Sequence, residues 1–309
     1  MSVLAAAVPR ARPLEVLWRF SRPHTVIGTT LSVLGLFAIA LAELPRPAAG
    51  EAAVHLGFTL LAALCVNVFI VGVNQLTDIE IDRINKPFLP LAAGDLGPHT
   101  ARAIVAVAGA APVALALTQG AFELAAVLAG LAVGVAYSVP PLRLKRFPAL
   151  ASLSISGVRA LVVNLGVYGH FALAFAGTVT VAASVWALTA FVLPFAFAIA
   201  VLKDVPDLEG DRRHRIATFT VRLGPERAFR LGLSALVLAY AGMIAAAPWI
   251  DGAQPAAMAA GHAAALLALW HLARGVDPRD RAGFTRFYMR VWALFFLEYL
   301  LVPAAVIAG

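Results

Sequence analysis

An all-α membrane protein with nine spanning helices is the fold class this sequence predicts, and three observations predict it. Of the 309 residues, 61% are hydrophobic and 13% charged, with a mean hydropathy of +0.86, whereas a soluble domain carries about 25% charged residues. Apolar runs long enough to cross a bilayer as helices recur along the whole chain, and the alternating segments of a membrane barrel do not. Finally, 23 of the 24 Lys and Arg residues fall on one side once alternate loops are assigned to it. A soluble enzyme is excluded. The single cysteine, Cys65, lies inside an apolar run, which excludes a disulfide framework and a thiolate metal cluster.

Taken in order, Arg10, Arg12, Arg19 and Arg22 precede a first span over 24–42. That run is longer than a signal-peptide core and follows no cleavage-type sequence, so it is expected to stay as the first helix. Further spans are expected at 56–75, 102–117, 122–139, 150–171, 179–202, 228–247, 256–273 and 291–307. Lys and Arg number 4 before span 1 and 3, 4, 7 and 5 in or beside the loops after spans 2, 4, 6 and 8, and only Arg46 falls on the opposite face. The amino terminus and every even-to-odd loop are therefore expected in the cytoplasm. The net charge of +7 is explained by those loops and calls for no nucleic acid. Pro112 and Pro194 inside spans 3 and 6 predict kinks. No linker interrupts the chain, so residues 1–309 read as one membrane-embedded domain. Its Ala- and Arg-rich composition, with lysine only at 86, 145 and 203, points to a bacterial cell membrane.

The carboxylates carry the chemistry. Span 2 ends in Asn74-x-x-x-Asp78-x-x-x-Asp82, then Arg83 and Lys86, and this spacing predicts one helical stripe. Span 6 ends in Lys203-Asp204-x-x-Asp207-x-x-x-Asp211, then Arg212 and Arg213. The two clusters lie four spans apart, which predicts a duplicated four-helix unit with a ninth helix added. Both are expected at helix C-termini, where the macrodipole is already negative and gathered carboxylates need cations. One such pair is readily a solvated loop; two point to a hard divalent cation such as Mg²⁺, which takes carboxylate, water and phosphate oxygens. The nearby Arg143, Lys145 and Arg146 add to the basic residues already named. So many cations fit a diphosphate, whose roughly three charges plus the carboxylates exceed the +4 of two metal ions.

Asn74-x-x-x-Asp78-x-x-x-Asp82 followed by Asn-Lys-Pro-Phe-Leu-Pro-Leu-Ala-Ala-Gly, and Lys203-Asp204-x-x-Asp207-x-x-Gly-Asp211, resemble the motifs of the UbiA superfamily of intramembrane aromatic prenyltransferases, and within it the homogentisate phytyltransferase and prenyltransferase branch. The likeness extends to Phe20-Ser-Arg-Pro-His-Thr, to Tyr137-Ser-Val-Pro-Pro-Leu-Arg-Leu-Lys-Arg and to Arg159-Ala-Leu-Val-Val-Asn164, and covers most of the chain. The resemblance implies nine helices around a central cavity and a prenyl diphosphate held through Mg²⁺ by Asp78, Asp82, Asp207 and Asp211. It implies substrate contacts from Asn74, Tyr137, Lys145, Asp204 and Asn164, with Arg83, Lys86 and Lys203 as further diphosphate partners. Arg22 matches a basic position of the family's first helix and is equally readable as an interfacial positive residue.

The activity so implied is ionisation of an allylic diphosphate to a cation, shielded from water by the bundle, followed by attack through a ring carbon of a hydroxylated aromatic acid of homogentisate or 4-hydroxybenzoate type. A carboxylate or the diphosphate takes the ring proton. The acceptor's carboxylate is expected at basic residues such as Arg22 or Arg159, although Arg159 also reads as a snorkelling interfacial arginine. Another phenolic or a tetrapyrrole acceptor, or a transporter, is the alternative; a transporter's acids belong near the midplane, and these lie at a boundary. Glu298 inside span 9 calls for a partner or a wet cavity. Glu123 is expected to be solvated, and His170, His262 and His271 to be interfacial.

Overall fold

Proline sets where seven of the fifteen α-helices begin among the described residues. Its fixed φ and missing N–H suit the first helical position, and seven helices start there: α1 (Pro13–Phe20), α2 (Pro23–Glu43), α5 (Pro90–Ala93), α6 (Pro98–Gln119), α8 (Pro148–Gly157), α13 (Pro225–Ala246) and α14 (Pro255–Ala273). The others are α3 (Ala49–Thr77), α4 (Ile79–Asn85), α7 (Ala121–Ser138), α9 (Gly166–Ala176), α10 (Ala183–Leu202), α11 (Leu208–Arg213), α12 (Phe219–Leu223) and α15 (Arg281–Ile307). The computed structural model describes residues 12–309, so Arg10 lies outside the described residues.

Nine helices among the described residues are long and apolar enough to cross a membrane: α2, α3, α6, α7, the continuous rod Pro148–Ala176, α10, Pro225–Trp249, α14 and α15. They coincide with the nine expected spans. α3 packs on α2, α6 and α7, and α6 packs on α7; α7 and α2 meet the α8–α9 rod, α10 packs on that rod and on α13, and α13 packs on α14. α15 lies against both α14 and α2 and closes the ring. α10 is the most enclosed span, with Phe191, Phe195, Ile199 and Leu202 among its buried residues. Gly35 lets α2 approach α15 closely, because a β-carbon there would stand 2.6 Å from the Tyr299 carbonyl oxygen.

One local expectation changes and one irregularity is new. α6 and α10 each stay a single helix through Pro112 and Pro194. The irregular span is the fifth, where Val158–Leu165 forms a π-helix with no proline inside it. Buried polar side chains are also better partnered than expected. Glu123 is 4% exposed, with the His170 ring 3.8 Å away, and His170 in turn lies 3.2 Å from His55. His262 is fully buried in α14 and meets Glu298 of α15 at 2.9 Å, while its other ring nitrogen faces the Met258 carbonyl at 2.6 Å. Both readings fail for the same reason: each residue faces another helix rather than the bilayer edge.

Candidate active site

The first acidic segment breaks out of its helix at Thr77. The Thr77 hydroxyl donates to the Asn74 carbonyl at 3.0 Å, taking the acceptor that the Asp78 N–H would use in a continuing α-helix, and Asp78 turns to Gln75 instead. Asp78 thus ends α3 and begins α4, with Asp82 in the first turn of α4. The second segment repeats this design: Asp207 precedes α11, and Asp211 lies in its first turn. In both, the later N–H donates to the earlier carbonyl, at 2.8 Å for Asp82 to Asp78 and 3.1 Å for Asp211 to Asp207. The expectation that every acid crowns a helix C-terminus therefore holds for Asp78 and Asp204 only. Asp82 and Asp211 sit at the positive ends of short helices, an arrangement that reduces the cost of grouping them.

A latch holds the two segments together. Asn85, at the end of α4, donates to an Asp211 carboxylate oxygen at 3.2 Å and accepts from the Gly210 N–H at 3.0 Å. A β-carbon at position 210 would stand 2.3 Å from the Asn85 amide oxygen, so only glycine fits. Arg281, from the start of α15, donates to the Asn85 carbonyl at 2.5 Å and ties the last span to the same point.

Cations interleave with the acids. Lys145 lies 2.6 Å from both oxygens of Asp78 and 3.0 Å from the Thr77 hydroxyl. Arg143 reaches Asp78 at 3.2 Å, and Asn74 donates to it at 3.1 Å. Arg22 donates to Asn74 at 3.2 Å, Lys86 pairs with Asp207, and Lys203 pairs with Asp204 at 2.6 Å. Arg22 and Arg143 both have left-handed backbone, with φ of 54° and 39°. Non-glycine residues enter that region at a cost of about 1–2 kcal/mol, and such strain gathers at functional sites. Tyr137 stands beside the Lys203–Asp204 pair.

The five aspartates are 5–9% exposed. Burial, reinforced by the neighbouring carboxylates of Asp78 and Asp207 against Lys86 and Arg22, pushes Asp82 up to about 6. Burial together with Asp204 and Asp207 pushes Asp211 up to about 8. Burial alone would lower the Lys203 ammonium, but the Asp204 carboxylate outweighs it and holds Lys203 well above its ordinary value. For Lys145 burial wins over Asp78, and its pKa is lowered.

These residues fit a divalent cation bridged to a diphosphate. An Asp82 oxygen is buried without a partner, and Asp78 already grips an ammonium with both of its oxygens, as a carboxylate grips a metal ion. Five carboxylates stand against Arg22, Lys86, Arg143, Lys145 and Lys203, so the cluster is near neutral. Adding one diphosphate with two Mg²⁺ changes that balance by only about one charge.

Of the residues picked out by sequence, Asn74, Asp78, Asp82, Lys86, Tyr137, Lys145, Lys203, Asp204, Asp207, Asp211 and Arg22 come together here. Arg83 does not: it is exposed and pairs with Glu80 at 2.7 Å on the outer side of α4. Arg159 and Asn164 lie inside the fifth span, on its π-helical stretch. Sequence reasoning passed over Asn85 and Gly210, although both lie in the quoted motifs, and it gave Arg143 no separate role.

Comparison with known proteins matches residues 29–294 to the UbiA prenyltransferase family. The homogentisate phytyltransferase of Synechocystis sp. is 44% identical over 94% of this chain and 96% of its own. The homogentisate geranylgeranyltransferase of Triticum aestivum is 36% identical over 95% of this chain and 73% of its own. A solved UbiA homologue from Archaeoglobus fulgidus, bound to DMAPP and Mg²⁺, shares the fold with a TM-score of 0.63 at 19% identity, over 93% of this chain and 99% of that one.

Proposed function

Because this chain belongs to the UbiA prenyltransferase family and is a membrane-bound prenyltransferase, we propose that it transfers an isoprenyl group from a prenyl diphosphate to a ring carbon of a hydroxylated aromatic acid, homogentisate first among them. The observation that carries this reading is the meeting of two buried aspartate pairs with five Lys and Arg side chains at one end of an apolar bundle. The homogentisate phytyl- and geranylgeranyltransferases among its relatives support the acceptor class.

Asp78, Asp82, Asp207 and Asp211 would hold Mg²⁺, which when bound supplies Lewis-acid stabilisation of the departing diphosphate. Lys86, Lys145, Lys203, Arg143 and Arg22 bind and orient the diphosphate, and as fixed charges in a dry site they favour the separated ion pair. Asn74 ties Arg22 to Asp78 and so fixes both. Apolar helix faces keep water from the allylic cation until the electron-rich ring attacks it. The whole chain, 1–309, works as one membrane-embedded domain, with this end facing the cytoplasm of a bacterial cell, as the Lys and Arg distribution supports.

The test is product analysis after incubating membranes with phytyl, geranylgeranyl or solanesyl diphosphate and homogentisate or 4-hydroxybenzoate. A carbon-linked prenyl product that disappears with EDTA and returns with Mg²⁺ is expected. Turnover in chelator, attachment through oxygen, or transfer only to a tetrapyrrole acceptor would overturn the reading.

A further inference from the structure

Arg159 is a cation without a counter-charge. Its guanidinium centre lies 4.7 Å from the ring centre of Trp292 and 5.5 Å from that of Phe295, and those rings are 2% and 0% exposed. Among the described residues no carboxylate pairs with it and no protein group accepts a hydrogen bond from it; the polar groups around it are the phenols of Tyr288 and Tyr299 and the His24 ring. A snorkelling arginine sends its head out to the interface, but this one is laid inward on two buried aromatics. Stacking offsets part of the charge and leaves its N–H donors unused.

The surroundings are short of acceptors too. Asn164 is fully buried; its carbonyl oxygen accepts from the Tyr299 hydroxyl at 2.7 Å, and its NH₂ has no partner. The Trp292 indole N–H is also buried, with no hydrogen bond to a carboxylate or carbonyl among the described residues and the Tyr288 phenol as its polar neighbour. The π-helix is what groups these residues. In an α-helix, positions five apart point about 140° away from each other, whereas i to i+5 bonding over Val158–Leu165 stacks Arg159 and Asn164 on one side. Both then meet α15, at Trp292 and at Tyr299, seven residues apart on one face. The seam also adjoins the aspartates. The Trp292 ring meets His24 at 4.8 Å, and His24 lies two residues from Arg22, which reaches Asp78 through Asn74.

We propose that Arg159, backed by Trp292 and flanked by Asn164, anchors the carboxylate of the aromatic acceptor and so sets the enzyme's preference for an acid over a plain phenol. The proposal rests on the prenyl-transfer reading above. An ionised carboxylate supplies the acceptors that guanidinium, indole N–H and carboxamide all lack, and a planar guanidinium matches it with two parallel bonds. An intramembrane cation with no protein partner is placed for a substrate anion.

The test compares 2,5-dihydroxyphenylacetate with 2-methylhydroquinone, the same ring without its carboxyl group, on wild type, Arg159→Gln and Arg159→Lys in lipid nanodiscs. Equilibrium binding of labelled acid is measured alongside turnover. For Arg159→Gln the ratio of kcat/KM for the acid to that for the quinol is expected to fall about 10- to 100-fold, the equivalent of one lost charge-assisted interaction. Acid binding should weaken in parallel, while the KM for prenyl diphosphate stays within about twofold. Arg159→Lys, which keeps the charge and loses the fork, should fall between. Equal losses on both acceptors, or unchanged acid binding, would overturn the anchor. Wild type that prenylates only the quinol would also overturn it and leave prenyl transfer standing, whereas wild type that prenylates no phenol removes both readings.

Discussion

Glu298 in α15 and Asp211 in α11 are both carboxylates withdrawn from solvent, at 1% and 6% exposure, yet their surroundings differ in kind. Glu298 has a dedicated partner, His262, whose other ring nitrogen faces a carbonyl that can only accept. That nitrogen must carry a proton, so the pair shares a single further proton and is neutral overall. Among the described residues Asp211 receives only the Asn85 amide and an Asp82 oxygen has no partner, while three other carboxylates crowd them. A buried charge kept for architecture is closed, with every bond made inside the protein. Asp78, Asp204 and Asp207 are paired with cations, but Asp82 and Asp211 are left open, which is costly unless something outside the chain completes them.

The largest expected effect breaks the open cluster. Asp82→Asn and Asp211→Asn should each lower turnover by about 10²- to 10³-fold, the usual loss when a group stabilising transition-state charge is removed, with an unchanged elution profile in detergent. Near-normal turnover in either would show that its acid is not part of the machinery.

The next prediction sharpens the comparison through pH. Asp82 and Asp211, raised to about 6 and about 8, hold protons more tightly folded than unfolded. Their contribution to the stability of the cation-free protein is therefore full below the ordinary carboxylate range and lost as pH rises through 6 to 8. Mg²⁺ must displace those protons, so its affinity should increase over the same window, by up to about tenfold per pH unit for each proton released. Calorimetric Mg²⁺ titrations at pH 6, 7 and 8 should show that rise in wild type and a flatter one in Asp211→Asn. A falling affinity would contradict the assignment.

The smallest effect on chemistry is expected at the closed pair. Glu298→Gln keeps a hydrogen-bonding group opposite His262 and should cost about 1–3 kcal/mol of stability, seen as a lower Tm, with turnover per folded molecule within about threefold of wild type. A loss matching that of the aspartate variants would erase the distinction between open and closed carboxylates.

The sequence displayed the spans and both acidic segments plainly, because each is local: an apolar run, or a four-residue spacing. What it hid depends on distance or on a single competing hydrogen bond. Arg83 and Lys86 are three residues apart in the same basic stretch, yet Arg83 lies inside α4 and pairs outward with Glu80, whereas Lys86 follows the end of α4 with non-helical backbone and turns to Asp207. Arg159 looked like any arginine near a helix end, since nothing local announces a π-helix or a tryptophan at position 292. Glu123 seemed solvated because its companions, Thr59 and His170, come from two other spans.

The latch between Asn85 and Asp211 joins residues 126 positions apart, and this separation governs when the site comes into being. At about 5–20 residues per second, a ribosome needs about 6–25 s to make the intervening chain. During that time the first acidic segment waits at the membrane surface, hydrated, with neither Asn85 nor Lys86 engaged. A nascent chain released before span 6 holds half a site with exposed charges and no partner for Asn85, so quality control acting on unassembled spans would find its signal here.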